Sequence, residues 1–355
     1  KELARQVTRK SVVLLKNEGG LLPLDKKEVR KIAVIGNRAE SVLKDWYGAL
    51  PAYSVSALEG IKAAVEDEDV EVRFQAWDSD GKAQELAAWA DVAIVCVGNH
   101  PMTSPDWKWE KIQAPWGEGT VAGDGREAVD RRSLELESED LIKMVWKANP
   151  NTIVALISSF PYTIDWTQEH VPSILHVSQC SQELGNALAD VIFGDYNPAG
   201  RTTQTWVKDI LDLPGMLDYD IRNGRTYMYF KGEPLYPFGY GLSYTSFEYS
   251  RLKVRCQKDS VRLSFDLSNT GGRDGEEVVQ LYVRFPGDDA AMRLRGFERV
   301  PVSEGETVRI DLVVPFEDLK LWDTETGAFG LAGGRYEFLI GASSEDIRLS
   351  DSVAL

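Results

Sequence analysis

The stretch GKAQELAAWADVAIVCVG, residues 81–98, joins the two patterns that decide the fold. Its first ten residues are typical of a helix, and residues 91–98 form a short apolar run closed by glycine, which is typical of a buried strand. The same alternation recurs from the run KIAVIG at residue 31 to the helical pattern that ends near residue 194. Apolar strands that alternate with amphipathic helices predict βαβ units and a mostly parallel sheet.

The amino-terminal residues predict a helix before the first of these strands. Leu3, Val7, Val12 and Leu15 recur at near-helical spacing, and GGLLPL follows, so we expect a helix over residues 3–16. The sequence opens without methionine and without a signal peptide, which leads us to expect a piece of a longer or processed chain. These amino-terminal residues do not indicate a cellular compartment.

A change of pattern after Gly200 indicates a second domain. The residues that follow are rich in glycine, proline and tyrosine without a helical period, which suggests an ordered connector. From Glu248 onward, strands recur every 8–12 residues between turns, a pattern typical of a small β-sandwich of the immunoglobulin or fibronectin type III kind. The predicted parts are a helix at 1–16, an α/β domain at 17–215, a connector at 216–247 and a β-sandwich at 248–355.

Composition and motifs exclude several functions. The chain has 56 acidic and 40 basic residues and a formal charge of −16, which argues against nucleic acid or an anionic membrane as partner, because phosphate contacts need a basic patch. Its cysteines, Cys96, Cys180 and Cys256, are far apart, and no His-rich cluster exists, so we predict no metal site. GxGxxG, Walker A, GxSxG and HExxH motifs are absent, and no cofactor is expected.

The segment after residue 98 is the candidate site, because open α/β sheets bind ligands beyond the carboxyl ends of their strands. It is long for a loop, which usually indicates function. Its aromatic and acidic residues suit a sugar, whose apolar face stacks on rings while carboxylates exchange protons. The alternative is a solvated acidic lid. The residues concerned are Trp107, Trp109, Trp116, Glu110, Glu118 and Glu127.

The sequence resembles the carboxyl-terminal two-thirds of a glycoside hydrolase family 3 enzyme, the β-glucosidase and β-xylosidase group. The resemblance covers essentially the whole chain. The motifs that carry it are SVVLLKNEGGLLPL, KIAVIGNRAE, EAVDRRSLEL, FPYTIDW, ELGNALADVIFGDYNPAGRTTQTW, GRTYMYFKGEPLYPFGYGLSYTSFEYS, LRGFERV, EDLKLWD and GRYEFLIGASSEDIRLS.

The resemblance implies a six-stranded, mostly parallel α/β sandwich followed by a fibronectin type III-like domain. It also implies a (β/α)8 barrel, on another chain or segment, that holds most sugar contacts and an Asp nucleophile in a Ser-Asp-Trp or Ser-Asp-Tyr setting. No such tripeptide occurs here, and the KDW and IDW stretches at Asp45 and Asp165 do not substitute for it. The chain alone is therefore expected to be inactive.

The family's general acid/base is a Glu on a loop of the sandwich domain, often in a Glu-x-x-Asp-Arg pattern. Glu127 in EAVDR matches that pattern, with Asp130 and Arg131 expected to hold the loop. Glu118 is the alternative, because some relatives place the acid in a Gly-Glu-Gly context, as in WGEGT. Glu110 is a third option.

Four further residues are expected to contact the substrate, a β-linked glucoside or oligosaccharide. They are Asn99, His100, Trp46 and Trp116. His170 and His176 are interpreted as structural. A competing hypothesis is a non-catalytic carbohydrate-binding or assembly subunit of the same fold.

Overall fold

The computed structural model describes residues 1–40, 42, 51–76, 81–98, 133–178 and 181–355. The chain divides into two units, one made of Lys1–Gly200 with Lys208–Ile210 and the other of Arg201–Val207 with Leu211–Leu355. The boundaries at residues 16, 215 and 247 inferred from the sequence stay predictions.

A six-stranded sheet forms the centre of the first unit, and this confirms the predicted α/β class. Its strands are β1 (Val13–Asn17), β2 (Lys31–Ile35), β3 (Glu71–Gln75), β4 (Val92–Gly98), β5 (Thr152–Ile157) and β6 (Ser173–Val177). They lie in the order β1-β6-β5-β4-β2-β3, and every neighbouring pair is parallel except β1 with β6. All residues of β4 and β5 are buried, as expected for the centre of a parallel sheet.

Six helices of the described residues accompany this sheet. They are α1 (Glu2–Ser11), α2 (Ala57–Ala64), α3 (Lys82–Trp89), α4 (Glu139–Ala148), α5 (Asp165–His170) and α6 (Leu184–Ile192). α2 begins with a capping box, in which Ser56 and Glu59 each accept a hydrogen bond from the other's backbone N–H. α2 packs closely on α6, because a Cβ added to Gly60 would lie 2.1 Å from the backbone of Gly185.

The amino-terminal segment corrects the prediction of one helix over residues 3–16. α1 ends at Ser11, and β1 follows as an antiparallel partner of β6. By its pattern, the apolar run at residues 12–15 fits a buried strand as well as a helix. These residues form a strand because pairing with β6 at the sheet edge supplies partners for their backbone hydrogen bonds.

α1 exposes apolar side chains and buries a polar one, the reverse of what is usual for an amphipathic helix. Leu3 and Val7 are 72% and 62% exposed, whereas Thr8 is buried. The Thr8 hydroxyl hydrogen-bonds the Ser181 hydroxyl, and Arg5 forms an ion pair with Asp190 of α6. Polar contacts therefore fix α1 on its own unit, while its apolar side chains reach solvent.

The second unit is a β-sandwich, as predicted. One sheet has four strands, in the order β10-β9-β14-β15, and the other has three, in the order β11-β8-β7. These strands are β7 (Phe247–Cys256), β8 (Ser260–Asn269), β9 (Gly275–Arg284), β10 (Arg293–Val302), β11 (Thr307–Pro315), β14 (Arg335–Gly341) and β15 (Ile347–Ala354). β12 (Leu321–Asp323) and β13 (Ala328–Gly330) form a separate hairpin. Phe265, Leu281 and Phe338, from three strands of the two sheets, share one core.

Short helical turns interrupt the predicted connector. The helix α7 (Thr226–Tyr229) lies within it, preceded by a 3₁₀ turn at Ile221–Asn223. Tyr227 of α7 stacks on Phe238 at a ring distance of 4.5 Å, and its hydroxyl accepts a hydrogen bond from the backbone N–H of Leu294. The connector is thus tied to the sandwich.

Candidate functional site

The candidate site lies at the carboxyl edge of the parallel strands in the first unit. β2, β4, β5 and β6 all end at this edge, because neighbouring parallel strands run in the same direction. Ligands of open α/β sheets bind there, outside the strand ends. The long segment singled out from the sequence leaves this edge directly after β4.

Two glycines set where the chain leaves the edge. Gly98, the last residue of β4, has φ +130°, and a Cβ added to it would lie 1.9 Å from the carbonyl oxygen of Ile157. Gly36, just after β2, has φ +110°, and its Cβ would lie 2.3 Å from the carbonyl oxygen of Cys96. Neither position accepts a side chain, so the ends of three adjacent strands are held close together.

Arg38 ties the β2 end to the β4 end. Its guanidinium Nε donates to the carbonyl oxygen of Gly98 at 3.3 Å, and its backbone N–H donates to the carbonyl oxygen of Cys96 at 3.4 Å. The departure point of the long segment is therefore fixed by the neighbouring strand's loop as well as by the sheet.

The return of the long segment is also fixed. The backbone N–H of Thr163 donates to the carbonyl oxygen of Leu134 at 2.9 Å, and Glu135 forms a parallel bridge with Thr163. A few residues later, Glu139 at the start of α4 accepts hydrogen bonds from the Thr167 hydroxyl at 2.8 Å and from its N–H at 3.3 Å. The segment thus begins and ends on structured elements of one unit.

All eight residues expected from the sequence to act at the site lie outside the described residues. They are Trp46, Asn99, His100, Trp116, Glu118, Glu127, Asp130 and Arg131. Glu110 and Asp45 lie outside them as well. The structure places the two ends of the long segment, Gly98 and Leu134, which are called here the frame, and seven of the eight residues lie between them in the sequence.

A Ser–His pair lies at the same edge but lacks the properties of a nucleophile and base. His176 Nε2 is 3.1 Å from the hydroxyl of Ser158, and this hydroxyl donates to the carbonyl oxygen of Phe160. Burial lowers the pKa of His176 to about 4, so the imidazole is neutral at pH 7. Ser158 has no exposed surface. We therefore interpret the Ser158–His176 pair as structural.

Sequence reasoning did not single out Glu183, a fully buried carboxylate at the start of α6. Burial alone would raise its pKa, but hydrogen bonding to Asn186 and Tyr53 and the charges of Lys1 and Arg5 outweigh burial, so the pKa of Glu183 is lowered. Asn186 Nδ2 donates to this carboxylate at 2.6 Å. A carboxylate held ionised in this way is no proton donor at neutral pH.

Cys96 and Cys256 have different environments. Cys96 is buried in β4, as expected for a core thiol, and burial raises its pKa to about 12. Cys256 is exposed at the end of β7. Within the described ranges, no cluster of three or more His, Cys, Asp or Glu could hold a metal ion. Among those same residues, no helix is long and apolar enough to cross a membrane.

Comparison with protein families identifies both parts of the chain. Residues 12–244 match the glycosyl hydrolase family 3 C-terminal domain, and residues 277–344 match the fibronectin type III-like domain. The chain belongs to glycosyl hydrolase family 3. This confirms the resemblance seen in the sequence motifs.

Relatives of the family 3 chain include bacterial glycosidases. It is 30% identical over 377 residues to a β-xylosidase of Formosa agariphila, covering 97% of this chain and 48% of the relative. It is 32% identical over 384 residues to the thermostable β-glucosidase B of Acetivibrio thermocellus, covering 99% of this chain and 48% of the relative.

Solved structures give the same result for the fold. The β-glucosidase D2-BGL of Chaetomella raphigera is 27% identical with a TM-score of 0.86, covering 99% of this chain and 54% of that one. A β-glucosidase of Erythrobacter marinus is 30% identical with a TM-score of 0.83, covering 100% of this chain and 50% of that one. The chain thus spans about half the length of these relatives.

Proposed function

We propose that this family 3 chain is the sandwich and fibronectin-like portion of a retaining, exo-acting β-glycosidase. Its substrate is the non-reducing end of a β-linked glucoside or of a short gluco- or xylo-oligosaccharide. The observation that carries the proposal is the frame between Gly98 and Leu134. It supports a catalytic loop because both ends of an acidic, tryptophan-rich segment are fixed at the ligand-binding edge of the sheet.

Glu127 is the general acid/base in this proposal, and Glu118 is the alternative. A retaining glycosidase needs a second carboxylate about 5–5.5 Å away that attacks the anomeric carbon. That nucleophile is an Asp of the (β/α)8 barrel, on another chain or segment. The acid protonates the leaving oxygen in the first step and deprotonates water in the second.

The remaining candidate residues are assigned supporting roles. Trp46 and Trp116 are proposed to contact the sugar. Desolvation in a tryptophan-lined site closed by the barrel is proposed to raise the pKa of the acid/base carboxyl group, which a proton donor at neutral pH requires. Asn99 and His100 directly follow β4 and are proposed to hydrogen-bond the sugar. Asp130 and Arg131 are proposed to hold the loop as an ion pair.

Co-expression of this chain with the barrel polypeptide tests the proposal. Hydrolysis of chromogenic β-glucosides and β-xylosides is compared for Glu127→Ala, Glu118→Ala and Glu137→Ala; Glu137 is the matched control, because it is an exposed carboxylate of the same acidic run. Loss of the acid/base lowers kcat by about 10²–10⁴. Azide restores only that variant, because it attacks the glycosyl-enzyme in place of water, releases the Asp carboxylate and needs no general base. Wild-type rates for both Glu127→Ala and Glu118→Ala sink the catalytic assignment.

The competing function is a non-catalytic carbohydrate-binding or assembly subunit of the same fold. It predicts binding of an oligosaccharide without hydrolysis, and no effect of Glu127→Ala in the presence of the barrel. The chain without the barrel is expected to be inactive under either function, so only the reconstituted assay separates them.

A further inference from the structure

A strip of large apolar side chains is exposed on the second unit. Within residues 211–221, called here the 211–221 strip, five such side chains reach solvent: Leu211, Met216, Leu217, Tyr219 and Ile221. Leu217 and Tyr219 are 80% and 84% exposed. Singly exposed apolar residues are ordinary, but five within eleven consecutive residues is a concentration that suits an interaction surface.

The backbone of the strip is held in place by its own unit. The Arg225 guanidinium donates to three carbonyl oxygens of the strip, those of Pro214 at 3.2 Å, Gly215 at 2.8 Å and Asp218 at 3.0 Å. Asn223 adds a hydrogen bond to the Asp218 carboxylate at 2.8 Å. The apolar side chains are therefore presented on a fixed backbone, and such preorganisation lowers the entropy lost on binding.

We propose that the 211–221 strip docks on the barrel of the assembled enzyme. The proposal rests on the proposed function, which assigns a barrel to the part of the enzyme that this chain lacks; this chain spans 48% of the length of two relatives. A stable interface between free proteins takes about 20–30 residues a side. Eleven residues are too few for a free-standing dimer but suffice as one part of a larger contact within one enzyme.

Hydroxyl-radical footprinting of the reconstituted wild-type complex tests the docking directly. Complex formation is first verified by sedimentation of this chain with the barrel polypeptide. Met216 and Tyr219 are then expected to be protected from oxidation relative to the chain alone. Trp322 and Phe329, exposed on the β12–β13 hairpin, serve as the internal control and should keep their reactivity. Unchanged oxidation of Met216 and Tyr219 in a verified complex overturns the proposal.

Substitution gives a second, independent measurement. Leu217→Ser/Tyr219→Ser should weaken binding of the barrel polypeptide by about tenfold or more. The matched control, Trp322→Ser/Phe329→Ser, should bind within about twofold of wild type. Equal affinity of both variants contradicts docking at the strip. Self-association of the chain alone that depends on the strip also contradicts it. Failure of the wild-type chain to bind the barrel polypeptide contradicts it as well.

The two proposals fail in different ways. Glu127→Ala should bind the barrel polypeptide like wild type and lose hydrolysis. If Leu217→Ser/Tyr219→Ser binds normally while Glu127→Ala is inactive, the docking surface is wrong and the catalytic assignment stands. If the strip variant loses binding while Glu127→Ala and Glu118→Ala are both fully active, the docking surface stands and the catalytic assignment is wrong.

Discussion

Arg5 of α1 and Asp190 of α6 form a two-bonded ion pair although 185 residues separate them in sequence. Asp190 is nearly fully buried, and Arg9 lies at the margin of the same carboxylate, 3.9 Å away. This pair, with the contact between Thr8 and Ser181, explains why α1 packs on its unit through polar atoms.

Arg5→Ala is expected to destabilise the first unit by about 2 kcal/mol, because it leaves a buried carboxylate without its main partner. The value is reduced from that of a fully buried pair because part of the Arg5 side chain reaches solvent. Urea denaturation measures the change, with Lys10→Ala, an exposed cation of the same helix, as control. Equal stability of the two variants contradicts the prediction.

Gly98→Ala is expected to destabilise the fold by more than about 3 kcal/mol, since the new Cβ would overlap the carbonyl oxygen of Ile157. Gly81→Ala is the matched control, because Gly81 also has a positive φ but open space around its Cβ position. It should cost about 1 kcal/mol, from backbone strain alone. Thermal unfolding separates the two effects, and similar losses would show that the close approach of the strands is unimportant.

Stability should fall between pH 6.5 and pH 4 through His176. Burial lowers the folded pKa of His176 from 6.5 to about 4, so in this window the unfolded chain binds a proton that the folded chain does not. The contribution is complete above pH 6.5 and is lost as the pH falls. Between pH 7 and pH 5 the full shift gives ~2 kcal/mol, and partial exposure of the residue reduces this to about 1 kcal/mol.

His176→Gln removes this titration, so the difference between the two proteins in unfolding free energy should depend on pH. His170→Gln is the matched control: His170 lies on α5, stacked on Trp166 at a ring distance of 4.3 Å. A difference between wild type and His176→Gln that stays constant from pH 7 to pH 5 runs against the assignment.

Thiol labelling should distinguish the two described cysteines. Cys256 is exposed and should react with iodoacetamide in the native protein, whereas Cys96 is buried with a raised pKa and should react only after unfolding. Peptide mass mapping reads both sites in one experiment. Cys256→Ser is the control that assigns the reactive peptide, and native labelling of Cys96 would falsify its placement in the core.

The sequence pattern predicted the α/β sheet and the β-sandwich because both depend on local periodicity. The apolar runs that predicted β4 and β5 are buried throughout, as a central parallel sheet requires. β15 was not predicted, because none of its residues is buried. A strand without buried positions has only a weak apolar pattern in its sequence.

Features that depend on distant partners were not predicted. The outward direction of Leu3 and Val7 follows from bonds that α1 makes to residues near 181 and 190, which no local pattern reveals. The lowered pKa of Glu183 also depends on a distant partner, since the Tyr53 side chain hydrogen-bonds its carboxylate together with Asn186. For the candidate site, sequence motifs singled out Glu127 and Glu118, whereas the structure shows how the ends of their segment are fixed, at Gly98 and Leu134.

The position of β1 determines where this polypeptide can be shortened. β1 supplies the outermost hydrogen bonds of the sheet through its antiparallel pairing with β6. A truncated protein begun at residue 17 would lose that strand and leave the backbone groups of β6 open to other chains. Exposed strand edges template aggregation. Truncated proteins for expression or crystallisation should therefore start before residue 13, so that β6 keeps its partner strand.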